Sequence, residues 1–574
     1  MLNEFVIWLN ALPLRYWIVA WLAFAACLLA AVLPRSAEGR FRHWNSPVVF
    51  SGLLFLLLLD FRWPGLRLNF QLLNPDESQM IASAIGYRHY GTLWGHISDG
   101  TVGPLIALPL TVPPLLDLPF DYTTARFIGL FFGWSILVFL WLTLRHIHGD
   151  RFARLLILPF ACFLAFTTFS DFVQYSTEPP ALAYVFAAFW LLVTASTPTG
   201  KILSLLRLTL GGVILGVIPL AKPQVAPLGF VIGLWSIGRL LIVSTNSRAR
   251  RYKAAACLLG GTLVSVLGFT YSLWRSGEFE FFWRTYVIGN SHYAAQRGYP
   301  WSAFPVVFWY FAKADAAFLV YLVSALVLLA MVIPLWPRLR PETRQFVSLG
   351  GMLWVIAFVV IIAPGRLFFH YLQILPPFLT LFVGFIYGGL LNEVSLSGRR
   401  RIFLMLFFLI VGLGPQVSLR LTEQNPYLGS WQTGAETQYA QYAKAVARRV
   451  IPFVRHRDTM TVWGWAPILH VEIGLPQATR EINMTQEMLL GPGAGYLQDL
   501  YVADLKFNRP VIFIDAAQTQ IPRSFSGPPL QPHEMNPAVR DFVAASYVLV
   551  DEIAKTRIYV RRDRFTGRKI DAAP

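Results

Sequence analysis

Charged residues are scarce in this chain. Only 14% of its 574 residues are Asp, Glu, Lys or Arg, whereas 55% are hydrophobic and the mean hydropathy is +0.52. Soluble domains carry roughly 25% charged residues. The shortage of charge excludes an ordinary soluble protein and predicts a polytopic α-helical membrane protein.

Cysteine and several recognisable motifs are also missing or rare. The three cysteines, Cys27, Cys162 and Cys257, each lie in an apolar run, so we expect buried thiols and neither a disulfide framework nor a thiolate metal cluster. No P-loop pattern and no repeat of fixed period occurs in the sequence. The first apolar run, 15–33, is long enough to span a bilayer and lacks the cleavage site of a signal peptide.

The net charge of +17 would suggest a nucleic-acid partner in a soluble protein. Its distribution argues against one. Residues 421–574 hold seventeen basic and fifteen acidic side chains, so nearly all of the excess belongs to residues 1–420, between apolar runs. This pattern is typical of membrane loops that face an anionic leaflet, and we expect no nucleic acid among the partners.

Apolar stretches approach the length of about 20 residues that spans a bilayer. We predict about 12–13 transmembrane helices, near 15–33, 46–61, 127–145, 154–170, 180–196, 203–221, 224–243, 254–274, 316–336, 345–363, 371–391 and 402–419. The stretch 103–119 is apolar but carries five prolines, which remove backbone donors and kink helices. It either crosses the membrane or dips in and returns.

Basic clusters set the expected orientation. Arginines follow the first and third predicted spans and precede the eighth, tenth and last, which indicates the cytoplasmic face. The longer, less basic loops 61–102, 171–179, 275–315 and 364–370 then lie outside, together with the chain end 421–574. We therefore predict that these loops and the C-terminal part lie on the side of the membrane opposite the cytoplasm.

The C-terminal part changes character. Residues 459–465, 509–517 and 557–562 read as short strands, and 437–454 and 536–553 read as a helix or a helix followed by a strand. Strands that alternate with helices predict a small α/β domain. The predicted domains are thus a transmembrane domain, 1–420, and an extracytoplasmic α/β domain, 421–574.

Two adjacent acids, Asp76 and Glu77, follow the second span at the start of a helix-like stretch. Charges are costly near a membrane, so acids there are rare unless they are used. One alternative is a plain helix N-terminus, where Asp76 or Asn74 caps and acids favour the dipole. A cap needs only one such residue.

A second acidic loop contains Asp171 and Glu178, seven residues apart between two apolar runs. Turn and capping residues are one explanation. The predicted orientation instead returns this loop to the face that carries Asp76 and Glu77. Acidic loops on one face suit either a divalent cation such as Mg²⁺ or Mn²⁺ held by oxygen ligands, or a general base with an orienting partner.

Cationic and aromatic residues follow at two further loops. Lys222 lies between two prolines at the end of a hydrophobic hairpin, where a lysine either snorkels or binds phosphate. Arg366, His370 and Tyr371 precede a later span, where they either form an interfacial cap or bind a phosphate or a sugar ring.

Acids and cations together suit a particular chemistry. A carboxylate can take a proton from a hydroxyl or amine acceptor, and cations stabilise the charge that grows on a phosphate leaving group. The combination fits glycosyl transfer from a lipid-linked sugar phosphate, which supplies free energy without nucleotides.

The sequence resembles the GT-C class of integral-membrane glycosyltransferases, and in particular the bacterial branch of protein O-mannosyltransferases and the lipid A aminoarabinose transferase. Five features carry the resemblance in order: the acid pair, "GPL" at 103–105, "TTARFIGLFFG" at 123–133, "FSDFVQYSTEPPAL" at 169–182 and "RLFFHYLQILPPF" at 366–378.

The resemblance implies a GT-C fold and inverting transfer from a polyprenyl-phosphate sugar to a lipid, glycan or protein acceptor. It also implies a bacterial inner-membrane protein whose active site and C-terminal domain face the periplasm. It implies that Asp76 is the catalytic base, that Glu77 stands beside it or binds the acceptor, and that Asp171 and Glu178 shape the second acidic loop. Lys222, Arg366 and His370 would hold the donor phosphate, with Tyr371 beside them. Some members of the class need a divalent metal and others do not.

Two other readings stay open on the sequence. A transporter or flippase of lipid-linked glycans also has many spans and sparse charge, but it would place charges within the spans. An O-antigen ligase or polymerase uses similar donors, but relies on Arg and His in a large external loop rather than on an Asp-Glu pair.

Overall fold

The computed structural model describes most of the chain. The described residues are 13–32, 46–68, 74–91, 102–195, 201–243, 247–295, 298–365, 367–394, 397–423, 425–434, 436–482, 494–519 and 530–565.

Ten helical segments of the described chain are long and apolar enough to cross a membrane. They are Pro13–Val32, Pro47–Leu66, Tyr122–His148, Ile202–Ala221, Pro223–Val243, Arg248–Ser276, Ala316–Arg338, Pro341–Ile362, Phe369–Glu393 and Gly398–Thr422. The predicted spans 154–170 and 180–196 form two helices of 17 residues each, Asp150–Phe166 and Glu178–Thr194. All twelve predicted spans therefore contain a helix, and the prediction of a polytopic helical membrane protein is confirmed.

The proline-rich stretch 103–119 forms short turns of helix and no continuous span. The turns are Pro104–Ala107, Leu108–Thr111 and Pro113–Leu116, and the last ends at Asp117, whose φ is +58°. Each proline lacks the N–H that would continue the helical ladder. This is the physical reason why an apolar run of nearly the right length does not become one membrane helix.

The chain divides into two compact units. The first comprises Met1–Arg67, Arg126–Ser272 and Tyr293–Thr433. The most enclosed of its spanning helices is Phe369–Glu393. In this helix 94% of an 18-residue apolar stretch is buried, whereas the corresponding share in Arg248–Ser276 is 17%. The shorter elements of this unit are Ser170–Val173, Trp301–Ala303, Phe304–Ala314 and Pro426–Thr433.

The second unit comprises Leu68–Ala125, Leu273–His292 and Gly434–Pro574. It contains a four-stranded sheet of β1 (Met460–Trp463), β2 (Ile512–Asp515), β3 (Tyr547–Ile553) and β4 (Thr556–Arg561) in the order β1-β2-β4-β3. β1 and β2 are parallel, and the other neighbours are antiparallel. Its helices are Pro75–Tyr90, Phe279–Phe282, Gln438–Val450, Ile468–Ile473, Ala494–Asn508 and Pro537–Ser546, and a π-helical turn covers Trp283–Ile288.

The sheet has a core of its own. Trp463, Tyr501, Phe513 and Tyr547 are buried together, with Val539 and Val543 from helix Pro537–Ser546. Gly464 follows β1 with φ +119°, and a Cβ there would lie 2.9 Å from the backbone of Ala516 and Ala517. Only glycine fits this close approach of two chain segments. The predicted strands and helices of an α/β tail are confirmed.

Candidate active site

The second acidic loop that the sequence predicts lies in the first unit. We call its residues Thr167 to Thr177 the polar loop. It links helix Asp150–Phe166 to helix Glu178–Thr194 and includes the short helical turn Ser170–Val173. Gln373 ties this loop to the later motif, because its amide nitrogen donates to the carbonyl of Asp171 at 2.6 Å and to Ser176 Oγ at 2.9 Å. The sequence pattern did not single out Gln373.

Lys222 lies between helix Ile202–Ala221, which contains Pro219, and the segment that begins at Pro223. Its ammonium forms an ion pair with Glu178 and donates to Thr177 Oγ1 at 2.5 Å. The ammonium also lies 4.7 Å from the centre of the Tyr371 ring, within cation–π range. Lys222 is therefore held in the site by three neighbours rather than snorkelling to a surface.

Glu178 is fully buried, with an exposure of 0%. Its Oε1 accepts from Lys222, and its Oε2 has no hydrogen-bond partner among the described residues. A buried carboxylate is tolerated when it is paired with a cation, so Glu178 and Lys222 depend on each other. The ammonium has three N–H donors, of which Glu178 and Thr177 take two.

His370 and Asp171 form a second pair. The Nδ1 of His370 lies 3.5 Å from Asp171 Oδ2, a contact that becomes an ion pair when the imidazole is protonated. The imidazole stacks on Phe368, with planes 3° apart and ring centres separated by 5.5 Å. The 3₁₀ turn Phe369–Ile374 thus presents His370, Tyr371 and Gln373 to the polar loop.

Arg366 lies outside the described residues. Its neighbour Gly365 has φ +61°, and the carbonyl of Gly365 accepts from the backbone N–H groups of Gly298 and Tyr299. The segment before His370 is thus joined to residues 298–299.

Of the predicted site residues, five are brought together in the first unit: Asp171, Glu178, Lys222, His370 and Tyr371. Thr177 and Gln373 belong with them and were missed by sequence reasoning. Both are neutral, so they do not stand out from the surrounding apolar runs as the charged residues do. Their positions in the sequence were a usable signal, because Thr177 directly precedes Glu178 and Gln373 lies two residues after Tyr371.

The acid pair lies in the second unit, in the first turn of helix Pro75–Tyr90. The N-cap is Asn74, whose side-chain oxygen accepts from the backbone N–H of Asp76 at 3.0 Å. Asn74 therefore satisfies the cap, and neither acid is needed for it. Asp76 is half-buried and Glu77 is fully buried, next to Ser78, whose hydroxyl lies 2.7 Å from that of Tyr122.

No family model matches this sequence, and no curated protein matches it significantly. The solved structures that are similar to this chain include ArnT from Cupriavidus metallidurans bound to undecaprenyl phosphate and the same protein in the apo state. The first has 14% identity and a TM-score of 0.54, and the match covers 92% of this chain and 100% of that one. The second has 13% identity and a TM-score of 0.55, with 91% and 100% coverage.

The chain has the GT-C fold. The similarity extends over nearly the whole chain, including the membrane helices and the C-terminal part. The resemblance that the five ordered motifs suggested is therefore confirmed at the level of the fold.

A group of potential metal ligands among the described residues lies in the C-terminal part of the chain. Asp515, His533 and Glu534 have ligand atoms within 4.8 Å of one another. Arg557 already bridges the two carboxylates, because its Nη2 donates to Asp515 Oδ2 at 2.5 Å and to Glu534 Oε2 at 2.8 Å. The four side chains therefore fit an ion-pair network better than a metal centre.

The charge balance of this network is visible in the pKa of Asp515. Burial on its own would raise that pKa, but the hydrogen bond from His533, a backbone N–H and the charge of Arg557 outweigh it, so the pKa lies below its usual value. Asp515 is the last residue of β2 and pairs in register with Arg557 of β4. The network thus fixes the segment around His533 to the end of the sheet.

Proposed function

We propose that this chain is an inverting glycosyltransferase that moves a sugar from a polyprenyl-phosphate donor to a hydroxyl or amine of a lipid, glycan or protein acceptor. The observation that carries the proposal is the polar cluster of the first unit, built within a GT-C fold. An ion pair, a histidine–carboxylate pair and a tyrosine ring meet there among apolar helices. The similar ArnT structure is bound to undecaprenyl phosphate, which supports a lipid-phosphate donor.

The cations of the cluster are proposed to receive the donor phosphate. Lys222 retains one N–H beyond those used by Glu178 and Thr177, and an oxygen of the phosphate can accept it. His370, when protonated, adds a second donor, and Arg366 adds a guanidinium. These groups favour the departure of the lipid phosphate because they stabilise its growing negative charge.

Asp76 is proposed to take the proton of the acceptor, with Glu77 as its neighbour. The support is that Asn74 already caps the helix, so the half-buried Asp76 is not committed to that structural task. For each transfer, the bond from the anomeric carbon to the phosphate oxygen breaks and a bond to the acceptor oxygen or nitrogen forms. The acceptor proton passes to the carboxylate, and the lipid phosphate leaves with the bonding electrons.

The environment of the reaction is part of the proposal. The transmembrane part, 1–420, would carry out transfer at the periplasmic face of a bacterial inner membrane, and 421–574 would form a periplasmic α/β domain. If the reaction uses a divalent cation, Mg²⁺ or Mn²⁺, either the carboxylates of Asp76 and Glu77 or those of Asp171 and Glu178 would hold it, and the cation would stabilise the charge of the leaving group.

Binding of the lipid tests the proposal directly. The full chain in lipid nanodiscs is mixed with undecaprenyl phosphate, and complexes are measured by native mass spectrometry. Saturable binding that Lys222→Ala weakens is expected. In parallel, envelope glycolipids of a host lacking the gene are compared by mass spectrometry with and without the restored chain. An unchanged set of glycolipids, glycans and glycoproteins contradicts the proposal, and accumulation of an unflipped precursor would indicate a flippase.

A further inference from the structure

A small cavity lies in the first unit beneath the polar loop. Its lining includes Gln174 of the polar loop and residues of five helical segments: Pro47–Leu66, Tyr122–His148, Asp150–Phe166, Glu178–Thr194 and Phe369–Glu393. Most of the lining is apolar, and the polar lining side chains are Arg62, Gln174 and Gln373. Arg62 and Gln174 have no role in the proposed chemistry.

Two glycines keep the cavity open. Gly129 and Gly133 lie one helical turn apart on Tyr122–His148 and both line the cavity. A Cβ on Gly133 would have no atom within 4 Å, and one on Gly129 would first meet Tyr175 at 3.5 Å. The wall therefore has space that a larger side chain would occupy.

Two buried side chains that line the cavity have polar atoms without a hydrogen-bond partner among the described residues. Arg62 is 7% exposed, and its Nε donates to the carbonyl of Leu164 at 2.5 Å, whereas its Nη2 is buried with no acceptor among the described residues. Gln174 is 2% exposed, and neither its amide nitrogen nor its amide oxygen has a partner in the described part of the chain. Buried polar atoms are nearly always hydrogen-bonded, so these three atoms call for a partner.

The chemistry of the missing partner follows from the groups it must satisfy. It must accept from Arg62 Nη2 and from the Gln174 amide, and it must donate to the Gln174 oxygen, a combination that water provides. The cavity has room for water-sized molecules. A fully ionised anion could accept from both groups, but it has no N–H or O–H to donate to the Gln174 oxygen.

We propose that this cavity is a binding site for ordered water that bridges Arg62 and Gln174, and that Gln174 is thereby a positioning residue for the polar loop. Gln174 lies between Asp171 and Glu178 in the chain, and Gln373, which also lines the cavity, donates hydrogen bonds to the same loop. Water at this site fixes the loop to helix Pro47–Leu66. The effect on Lys222, which bonds to Thr177 and Glu178, rests on the proposed function.

Direct observation of the water is the first test. Cryo-electron microscopy of the full chain in nanodiscs, at a resolution that shows ordered water, should reveal a peak within hydrogen-bond distance of Arg62 Nη2 and the Gln174 amide. The peak should be lost in Gln174→Leu. A dry cavity, or density of the size of a tetrahedral anion or an alkyl chain, would overturn the proposal.

The positioning role is tested by binding of undecaprenyl phosphate, measured by native mass spectrometry. Gln174→Leu should raise the Kd several-fold. Gln174→Asn should stay near wild type, because its shorter amide keeps both polar atoms and leaves space for a further water.

The matched control is Gln416→Leu, since Gln416 is also 2% exposed and donates to the carbonyls of Pro159 and Gly412. It should lower the melting temperature and leave the Kd unchanged. Equal Kd values for Gln174→Leu and wild type would overturn the positioning role. If the wild type itself does not bind the lipid, the result counts against the proposed function. The cryo-electron microscopy density for water beside Arg62 and Gln174 then tests the proposed water site by itself.

Discussion

The imidazole of His370 lies 3.5 Å from the carboxylate of Asp171, although 199 positions separate them in the chain. If this contact orients the imidazole towards the donor phosphate, the two residues act as a unit. Asp171→Asn and His370→Ala should each weaken binding of undecaprenyl phosphate, and the double variant should be little worse than either. The coupling free energy expected from a double-mutant cycle is about 0.5–3 kcal/mol. Strictly additive losses would show that the pair is not a functional unit.

Asp76→Asn should abolish sugar transfer without unfolding the chain. Loss of a general base typically lowers a rate by roughly 10²–10⁴-fold. The measurement is the restoration of envelope glycosylation in a host lacking the gene, with the amount of folded protein followed by size-exclusion chromatography. Asp117→Asn is the control, because Asp117 is exposed and its φ of +58° suits asparagine. Normal glycosylation by Asp76→Asn would remove the catalytic role of Asp76.

Lys222→Met should destabilise the protein as well as weaken donor binding, since it leaves Glu178 charged and unpaired in a buried position. Breaking a buried ion pair costs roughly 3–5 kcal/mol. The double variant Lys222→Met/Glu178→Gln should recover most of the thermal stability but not the affinity for undecaprenyl phosphate. Recovery of both would mean that Lys222 serves only to neutralise Glu178.

Mild acid should loosen the C-terminal part around His470. This imidazole is buried, it pairs with the carbonyl of Leu475 through Nδ1 at 2.9 Å, and burial lowers its pKa to about 4 from 6.5. As the pH falls, the imidazole of the unfolded chain takes up a proton before that of the folded chain. The contribution of His470 to the free energy of unfolding is therefore complete above pH 6.5 and is lost as the pH drops towards 4. At 1.36 kcal/mol per pKa unit, the loss is on the order of 3 kcal/mol.

Hydrogen exchange of the peptide that contains helix Ile468–Ile473, corrected for intrinsic exchange rates, measures this loss. His470→Leu should remove the dependence between pH 6.5 and 4, whereas replacement of the exposed His456 by leucine should leave it in place. An acid response that persists in His470→Leu would assign it to another group.

Arg557→Met should weaken the attachment of residues 530–535 to the sheet. The substitution leaves the buried Asp515 with His533 as its remaining side-chain partner and removes both bonds to Glu534. A hydrogen bond to a charged group contributes roughly 1.5–3 kcal/mol to stability. The expected result is faster exchange in β2 and β4, with exchange of the membrane helices unchanged. Arg562→Met, at a more exposed neighbouring site, should have a smaller effect.

The membrane helices were predictable because hydrophobic length is a local property. Each of the twelve predicted spans contains a helix, and the prolines of 103–119 marked the one apolar stretch that breaks into short turns. The strands of the tail were also visible in the sequence. Their order in the sheet was not, because β4 lies between β2 and β3 through contacts that no local pattern encodes.

The charged part of the site was predictable for a related reason. A lone Lys222 or Glu178 stands out among apolar residues. The free-energy cost of a charged side chain in a membrane protein indicates that such a residue has a function. The pairing of these two residues, 44 positions apart, depends on how helices pack and could not be read from the sequence. Neutral groups such as Gln373, Thr177 and Gln174 carry no such contrast, and the hydrogen bonds that they make or lack were needed to recognise them.

The pairing of Lys222 with Glu178 also bears on how a charged lipid reaches the protein. Opposite unit charges in contact form a dipole whose field fades quickly with distance, so this pair exerts little long-range attraction on anions in solution. Capture of a lipid headgroup by Lys222 would then depend on lateral diffusion within the bilayer. Its rate would be governed by membrane fluidity and lipid abundance and would respond only weakly to ionic strength.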